Sequence, residues 1–423
     1  MVYDIVPVEC PMPGLEDLLN QYWGYTSFRS LQREIIDAVL QGNDTLAILA
    51  TGSGKSLCYQ IPALLSGGIT LVVSPLIALM KDQVDDLNTR GISAAAYTSA
   101  LNYNELNEVK RAIISGNVKI LFVSPEKCVS PHFLDFIKTS PLRLVVVDEA
   151  HCISEWGHDF RPEYRQLSML KKKFPEVPIL ALTATAVPAV RKDISIQLGL
   201  RDPREIVGSF YRKNLRCTVT RKKNYLVQIS DVLGRHWGEP GIVYCRSRSG
   251  TEIIAHDLRK RGFRARAYHA GLSQKVREEV QESFLNNNSE IICATVAFGM
   301  GINKPNIRII VHADVPASIE EYYQEAGRAG RDGKTAECVL LYSPDDLTRI
   351  CSFHANTPTH NRIQQLDAMR EFCESNVCRW KHILMHFGEK VEETCCKCDK
   401  CLGDAKKGRK RPSHPHALGK VLC

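Results

Sequence analysis

LVVVDEAHCISEWGHDFRPEY, residues 144–164, carries two kinds of chemistry in one short stretch. Leu144 to Val147 are apolar and mostly β-branched, the composition of a strand buried on both faces of a parallel sheet. Such a strand delivers Asp148 and Glu149 to the carboxyl edge of the sheet, where open α/β folds bind ligands. Within a dozen residues follow Trp156, His158, Phe160 and Arg161, flat or cationic side chains of the kind on which nucleic-acid bases stack. An acidic pair for a metal-bound nucleotide beside a stacking loop is what a nucleic-acid-driven ATPase needs. Taken alone, DEAH also fits a plain strand end, and Trp156 and Phe160 also fit core aromatics, because short acidic motifs recur by chance.

A second stretch decides between these. ATGSGKS, Ala50 to Ser56, follows the strand-like run Thr45 to Ala50 and opens a helical pattern. Amides at such a helix start face phosphates. Thr51, Gly52, Ser53 and Gly54 would form the cradle, Lys55 would reach the β/γ-phosphates of ATP, and Ser56 would hold Mg²⁺. Asp148 then completes the Mg²⁺ site through water, and Glu149 is placed to orient or deprotonate the attacking water. His151 lies between the acidic pair and the aromatic loop, and is either a bridge between them or an ordinary buried histidine. The loop departs from G-x-x-x-x-G-K-[ST] in having Leu49 at the first glycine position.

DEAHCISEWGHDFRPEY, with TGSGKSLCYQIPALL upstream and YYQEAGRAGRDG downstream, resembles the RecQ family of DNA helicases from about Leu18 to Cys401. Helicases of this superfamily commonly carry a shorter A-x-G-x-G-K loop, which accommodates Leu49. The resemblance implies ATP-dependent unwinding of DNA in the 3′-to-5′ direction, in repair or recombination, with single-stranded and partly duplex DNA as partners and ATP, Mg²⁺ and Zn²⁺ as cofactors. It also places Tyr25, Arg29 and Gln32 in an adenine-reading motif. The chemistry agrees, since a ring can stack on adenine and a Gln amide can pair with its N6 and N7. In YYQEAGRAGRDG, Gln324, Arg328 and Arg331 stand at i, i+4 and i+7 and are expected on one helical face. Arginines from one lobe that reach a γ-phosphate held by another stabilise transition-state charge.

The order of elements suits two tandem RecA-like lobes, each a doubly wound parallel α/β sheet, followed by a small helical zinc module. Residues 1–14 read as irregular and 15–206 as the first lobe, with strands at 71–75, 120–125, 144–150 and 179–186. The second lobe is expected over 207–344, with strands at 241–245, 265–269, 290–295 and 307–312 and no second phosphate loop. Residues 345–404 form the zinc module, and 405–423 a basic tail. In the module, Cys378, Cys395, Cys398 and Cys401 make C-x16-C-x2-C-x2-C, a spacing that suits tetrahedral Zn²⁺, with the adjacent Cys396 surplus. Reduced thiols in a helical hairpin are the alternative.

Formal charge is +8, and the tail KKGRKRP supplies much of it, so any DNA groove on the body is local. The tail could hold phosphates or act as a nuclear-import signal. The expected compartment is thus the nucleus in a eukaryote and the cytoplasm otherwise, because no secretory leader or membrane span is visible and most of the sixteen cysteines are scattered. Relatives often continue into a winged-helix domain, which is not seen after Cys401. A DNA-stimulated ATPase with weak unwinding therefore stands as an alternative, beside an inactive DNA-binding regulator.

Overall fold

The computed structural model describes residues 14–157, 159–299, 302, 304–353 and 360–406. The expected positions of His158, of the N-terminal 1–13 and of the tail from 407 onward lie outside these residues.

The first lobe is a seven-stranded parallel sheet. Its strands are β1 (Thr45–Ile48), β2 (Ile69–Val73), β3 (Ala94–Tyr97), β4 (Ile120–Val123), β5 (Leu142–Val147), β6 (Ile179–Thr183) and β7 (Arg204–Val207), ordered β3-β4-β2-β5-β6-β1-β7. β1, β2, β4 and β6 are buried along their whole length, as parallel strands covered by helices on both faces must be. The order reverses beside β1, and the loops after β1 and β5 open at that carboxyl edge, the place where doubly wound sheets hold ligands.

The second lobe is a six-stranded parallel sheet of β8 (Leu215–Arg221), β9 (Gly241–Tyr244), β10 (Ala265–Tyr268), β11 (Ile291–Ala294), β12 (Ile309–His312) and β13 (Ala336–Tyr342), ordered β10-β11-β9-β12-β13-β8. Val207 pairs with Ile48 of β1, so the first sheet runs one residue beyond 206. Residues 208–214 link the two sheets.

Helices Pro344–Phe353, His360–Glu374, Arg379–His386 and Asp399–Lys406 form the third unit. It is anchored to the edge strand β8, where Trp380 Nε1 donates to the Leu215 carbonyl at 3.1 Å and the Val219 amide donates to Asp399 at 3.4 Å. It also grips the linker, because Phe387 stacks on Phe210 with centroids 4.2 Å apart and planes 4° from parallel. Glu389 accepts from Ser209 Oγ at 2.8 Å and from the Phe210 amide at 3.1 Å. No helix among the described residues is long and apolar enough to cross a membrane.

Candidate active site and candidate zinc centre

The loop after β1 turns through Gly52 and Gly54, both at φ +82°, a conformation that only glycine adopts cheaply. Helix Leu57–Leu65 follows, with Ser56 at its N-cap. Two residues from the preceding segment hold the loop. Arg29 Nη1 donates to the Gly52 carbonyl at 2.6 Å, and Gln32 Nε2 donates to the Ser53 and Gly54 carbonyls at 3.1 and 2.9 Å. Gln32 Oε1 in turn accepts from the Arg29 amide at 2.8 Å. Gln32 is only 2% exposed and faces the loop, so an adenine would have to take over or share its amide. Tyr25, half exposed, keeps its ring available for stacking.

β5 ends at Val147 and presents the acidic pair beside this loop. Burial and the adjacent Glu149 push the Asp148 carboxyl up to about 6 against the pull of Lys55. Glu149 sits at φ +47°, a left-handed position that costs a non-glycine residue about 1–2 kcal/mol. Its carboxylate is 3.3 Å from His151 Nδ1, which also lies 2.8 Å from Thr183 Oγ1 at the end of β6. Burial opposes a proton on His151, but Cys152 and Glu149 outweigh it and raise the group to about 10. From Thr183 the bonds continue, since its Oγ1 accepts from the Thr185 amide at 3.2 Å and Thr185 Oγ1 accepts from Gln324 Nε2 at 3.0 Å. Polar contacts therefore lead from Glu149 through His151, Thr183 and Thr185 to Gln324 of the second lobe. His151 is buried, at 1% exposure, with its Nδ1 facing Glu149 and Thr183.

The arginines differ from expectation. Helix Ile319–Ala326 carries Gln324 but stops before Arg328 and Arg331, which lie in the turn that follows. Gly327 caps the helix, and Gly330 at φ +57° breaks its path. The three side chains are thus not on one helical face. Arg328 donates to the Gly299 carbonyl, and Arg331 Nη1 donates to the Ile302 carbonyl at 2.8 Å. The Arg331 stem crosses the phosphate loop, with its Cγ 3.2 Å from where a Cβ on Gly52 would stand. Burial, Arg328 and Arg212 lower Arg331 to about 10. Arg29, Arg212 and Arg331 line one cleft of about 330 Å³ with Thr51 to Ser53. Three like charges facing one cavity repel one another and favour a polyanion there. Arg212, in the linker, escaped the sequence reading because no motif spacing marks it.

In the aromatic loop the residues diverge. Trp156 is half exposed and presents its ring outward. Phe160 lies under the Arg165 guanidinium at 5.3 Å. Arg161 is turned inward, donating to the Pro75 carbonyl and pairing with Asp159, both at 3.2 Å. Cys152 Sγ donates to the same Asp159 at 3.7 Å, which ties this loop to the residue next to His151. Asn361 of the third unit holds the loop from the other side, donating to the Glu155 carbonyl at 2.6 Å.

Cys378, Cys395, Cys398 and Cys401 converge, their sulfurs all within 4.8 Å of one another. The separations of 3.4 Å (Cys398–Cys401), 3.9 Å (Cys378–Cys398) and 3.9 Å (Cys395–Cys401) bracket the edge of about 3.8 Å that four sulfurs make around one Zn²⁺. The Cys395 amide points at Cys378 Sγ at 3.2 Å and the Arg379 amide at Cys398 Sγ at 3.5 Å, donors that suit thiolates. Buried Arg379, ion-paired with Asp399 at 2.8 Å, adds positive charge beside them. Cys396, at φ +58°, is outside the four. Donor set and geometry fit structural zinc.

Two parallel-sheet lobes, with the phosphate loop and the arginine turn lining one cleft, form a fold of the RecA-like helicase-core type. Residues 29–194 match the DEAD/DEAH box helicase family, 222–333 the helicase conserved C-terminal domain, and 344–402 the RecQ zinc-binding family. The chain belongs to the RecQ family. It is 49% identical over 92% of its length to the ATP-dependent DNA helicase RecQ of Pasteurella multocida, and 48% identical over 93% to that of Haemophilus influenzae, spanning 62% and 64% of those proteins. It is also 40% identical to a putative ATP-dependent RNA helicase of Acanthamoeba polyphaga mimivirus, with 92% of this chain and 72% of that protein covered. Relatives from bacteria, a nematode, plants and a virus do not distinguish the nucleus from other compartments. Among solved structures, the DUF1998 helicase MrfA bound to DNA aligns with TM-score 0.65 at 18% identity, over 97% of this chain and 64% of that one. The Saccharomyces cerevisiae Dbp5 complex with RNA and ADP BeF3 aligns with TM-score 0.64 at 14% identity, over 86% and 98%. At those identities the likeness concerns the fold alone.

Proposed function

We propose that the chain is an ATP-dependent DNA helicase of 3′-to-5′ polarity that couples ATP hydrolysis to movement along a single strand, in DNA repair or recombination. The observation that carries this is the run of polar contacts from Glu149 through His151, Thr183 and Thr185 to Gln324, which links the acidic residue of the first lobe to the second. Thr51 to Gly54 cradle the phosphates, Lys55 neutralises the β/γ oxygens, and Glu149 orients the attacking water, while Arg328 and Arg331 come from the second lobe to meet charge that develops on the γ-phosphoryl. Ser56 and Asp148 would hold Mg²⁺, which supplies further charge neutralisation. Tyr25, Arg29 and Gln32 take the base. Trp156 stacks on a DNA base, with Phe160 and Arg161 shaping its loop. The four cysteines hold Zn²⁺ as a structural ion, so that metal binding and folding of the third unit are one process.

The test measures ATP turnover with no nucleic acid, with single-stranded DNA and with RNA, alongside strand displacement on duplexes bearing a 3′ or a 5′ overhang. Stimulation by DNA and opening from the 3′ overhang are expected. Preferential stimulation by RNA, or opening only from the 5′ overhang, would overturn the assignment.

A further inference from the structure

The roles proposed above make no use of Arg212. It stands in the linker 208–214 between β7 and β8, so it belongs to neither sheet. Its guanidinium donates four hydrogen bonds, all to backbone carbonyls. Nη1 reaches Thr51 at 2.8 Å and Gly327 at 3.1 Å, and Nη2 reaches Ala329 and Gly330, each at 3.0 Å. The last three carbonyls belong to the turn that bears Arg328 and Arg331. Thr51 belongs to the phosphate loop.

A largely buried guanidinium without a carboxylate partner is costly, and burial accordingly lowers the pKa of Arg212. The location offsets part of that cost. Carbonyls at a helix end lack intrahelical partners and carry the negative end of the helix dipole, so a cationic fork satisfies both. Asn214 Nδ2 also donates to the Gly330 carbonyl at 2.7 Å, but that bond stays within the second lobe. Among the described residues, Arg212 is the one side chain whose hydrogen bonds reach both the phosphate loop and the arginine turn. Its root is fixed as well. Two residues earlier, the Phe210 carbonyl accepts from Tyr323 at 2.8 Å while its ring stacks on Phe387 of the third unit.

We propose that Arg212 is a positioning residue of the nucleotide site, which holds the turn bearing Arg328 and Arg331 in register with the phosphate loop and passes a displacement at Thr51 on to that turn. This rests on the ATPase reading of the cleft. Filling the loop with phosphates moves the Thr51 carbonyl, Arg212 follows it, and the turn is drawn toward the γ-phosphate. Arg212 itself touches no reacting atom.

The experiment compares the full chain with Arg212→Gln, Arg212→Lys, Arg331→Ala and the Arg212→Gln/Arg331→Ala double variant. Turnover and KM for ATP are measured, together with small-angle scattering in the presence and absence of a non-hydrolysable ATP analogue. Melting temperature and zinc content check the fold. Arg212→Gln is expected to lower kcat by about 100-fold, the scale of an ångström-sized misplacement in an active site. KM should change little, because the lost interaction acts in the transition state. Arg212→Lys should restore only part of the rate, since an ammonium has no planar fork to span two sets of carbonyls. The double variant should be no slower than Arg331→Ala alone, and the analogue should compact the parent but not Arg212→Gln. Parent-like turnover of Arg212→Gln, or a double variant slowed by the product of the single effects, would overturn the proposal. If Arg212→Gln loses zinc or melts early, parent-like turnover in Arg212→Lys overturns it instead. A parent that hydrolyses no ATP defeats the functional reading, and scattering then decides Arg212 separately, with equal compaction of parent and variant counting against it.

Discussion

Replacing Asp148 with Asn should make the nucleotide-free protein more stable while abolishing hydrolysis. In the folded chain the Asp148 carboxyl titrates at about 6 against 3.8 for the free group, because burial and Glu149 disfavour its charge more than Lys55 favours it. A carboxyl whose folded pKa is raised binds its proton more tightly folded than unfolded. Stability is therefore unaffected below the unfolded value, falls as pH rises between the two, and stays reduced above the folded one. The full shift corresponds to about 3 kcal/mol at 1.36 kcal/mol per unit. Asp148 keeps some exposure to solvent, and screening brings the expectation to about 1–3 kcal/mol. For a lobe of this size each kcal/mol moves the melting temperature by about 2–4 °C. Asn carries no such charge. The assay is thermal melting of parent and Asp148→Asn from pH 4 to pH 8, without nucleotide and with Mg²⁺ and ATP analogue. The variant should melt higher at pH 7.5, the gap should close toward pH 4, and Mg²⁺ with the analogue should close it by stabilising the parent. A gap that is absent, reversed or independent of pH would refute the argument that this carboxylate sits in an unfavourable site until a cation arrives.

Three other outcomes are expected. Lys55→Ala should abolish ATP hydrolysis and leave single-strand DNA affinity near the parent value, as measured by turnover and by fluorescence anisotropy. Trp156→Ala should weaken single-strand binding by about 1–3 kcal/mol, the worth of one stacked base, and an unchanged affinity would show that the ring does not stack. Elemental analysis should find one zinc per chain, and Cys378→Ser should lose the metal and melt several degrees lower, because zinc binding in such sites is folding energy. A metal-free chain that melts like the parent would remove the site.

The sheets were legible where strands are runs of β-branched residues buried on both faces, as in Leu144 to Val147 and Ile309 to His312. Four strands escaped. β3 is AAAY and lacks β-branched residues, and β7 is an exposed edge strand, REIV. β8, LRCTVTR, is too polar to read as a buried strand, whereas β13, bounded by Asp332-Gly333 and Pro344, was legible but unmarked. The phosphate loop and the cysteine cluster were legible because their spacing is the chemistry. The arginine turn was misjudged because i, i+4, i+7 is a helical period, whereas Gly327 and Gly330 end the helix between those positions. Spacing also cannot reveal a side chain whose partners are all backbone carbonyls far away in sequence, and so Arg212 stayed hidden.

On the proposed ATPase reading, the grip of Arg29 and Gln32 on the phosphate loop bears on how tightly the nucleotide is held. Because those donors already have carbonyl partners, an arriving base gains hydrogen bonds only by breaking ones that exist, and the net return is the difference between two similar terms. On the proposed reading, discrimination between bases then depends on which base can replace the loop carbonyls as a partner for one glutamine amide.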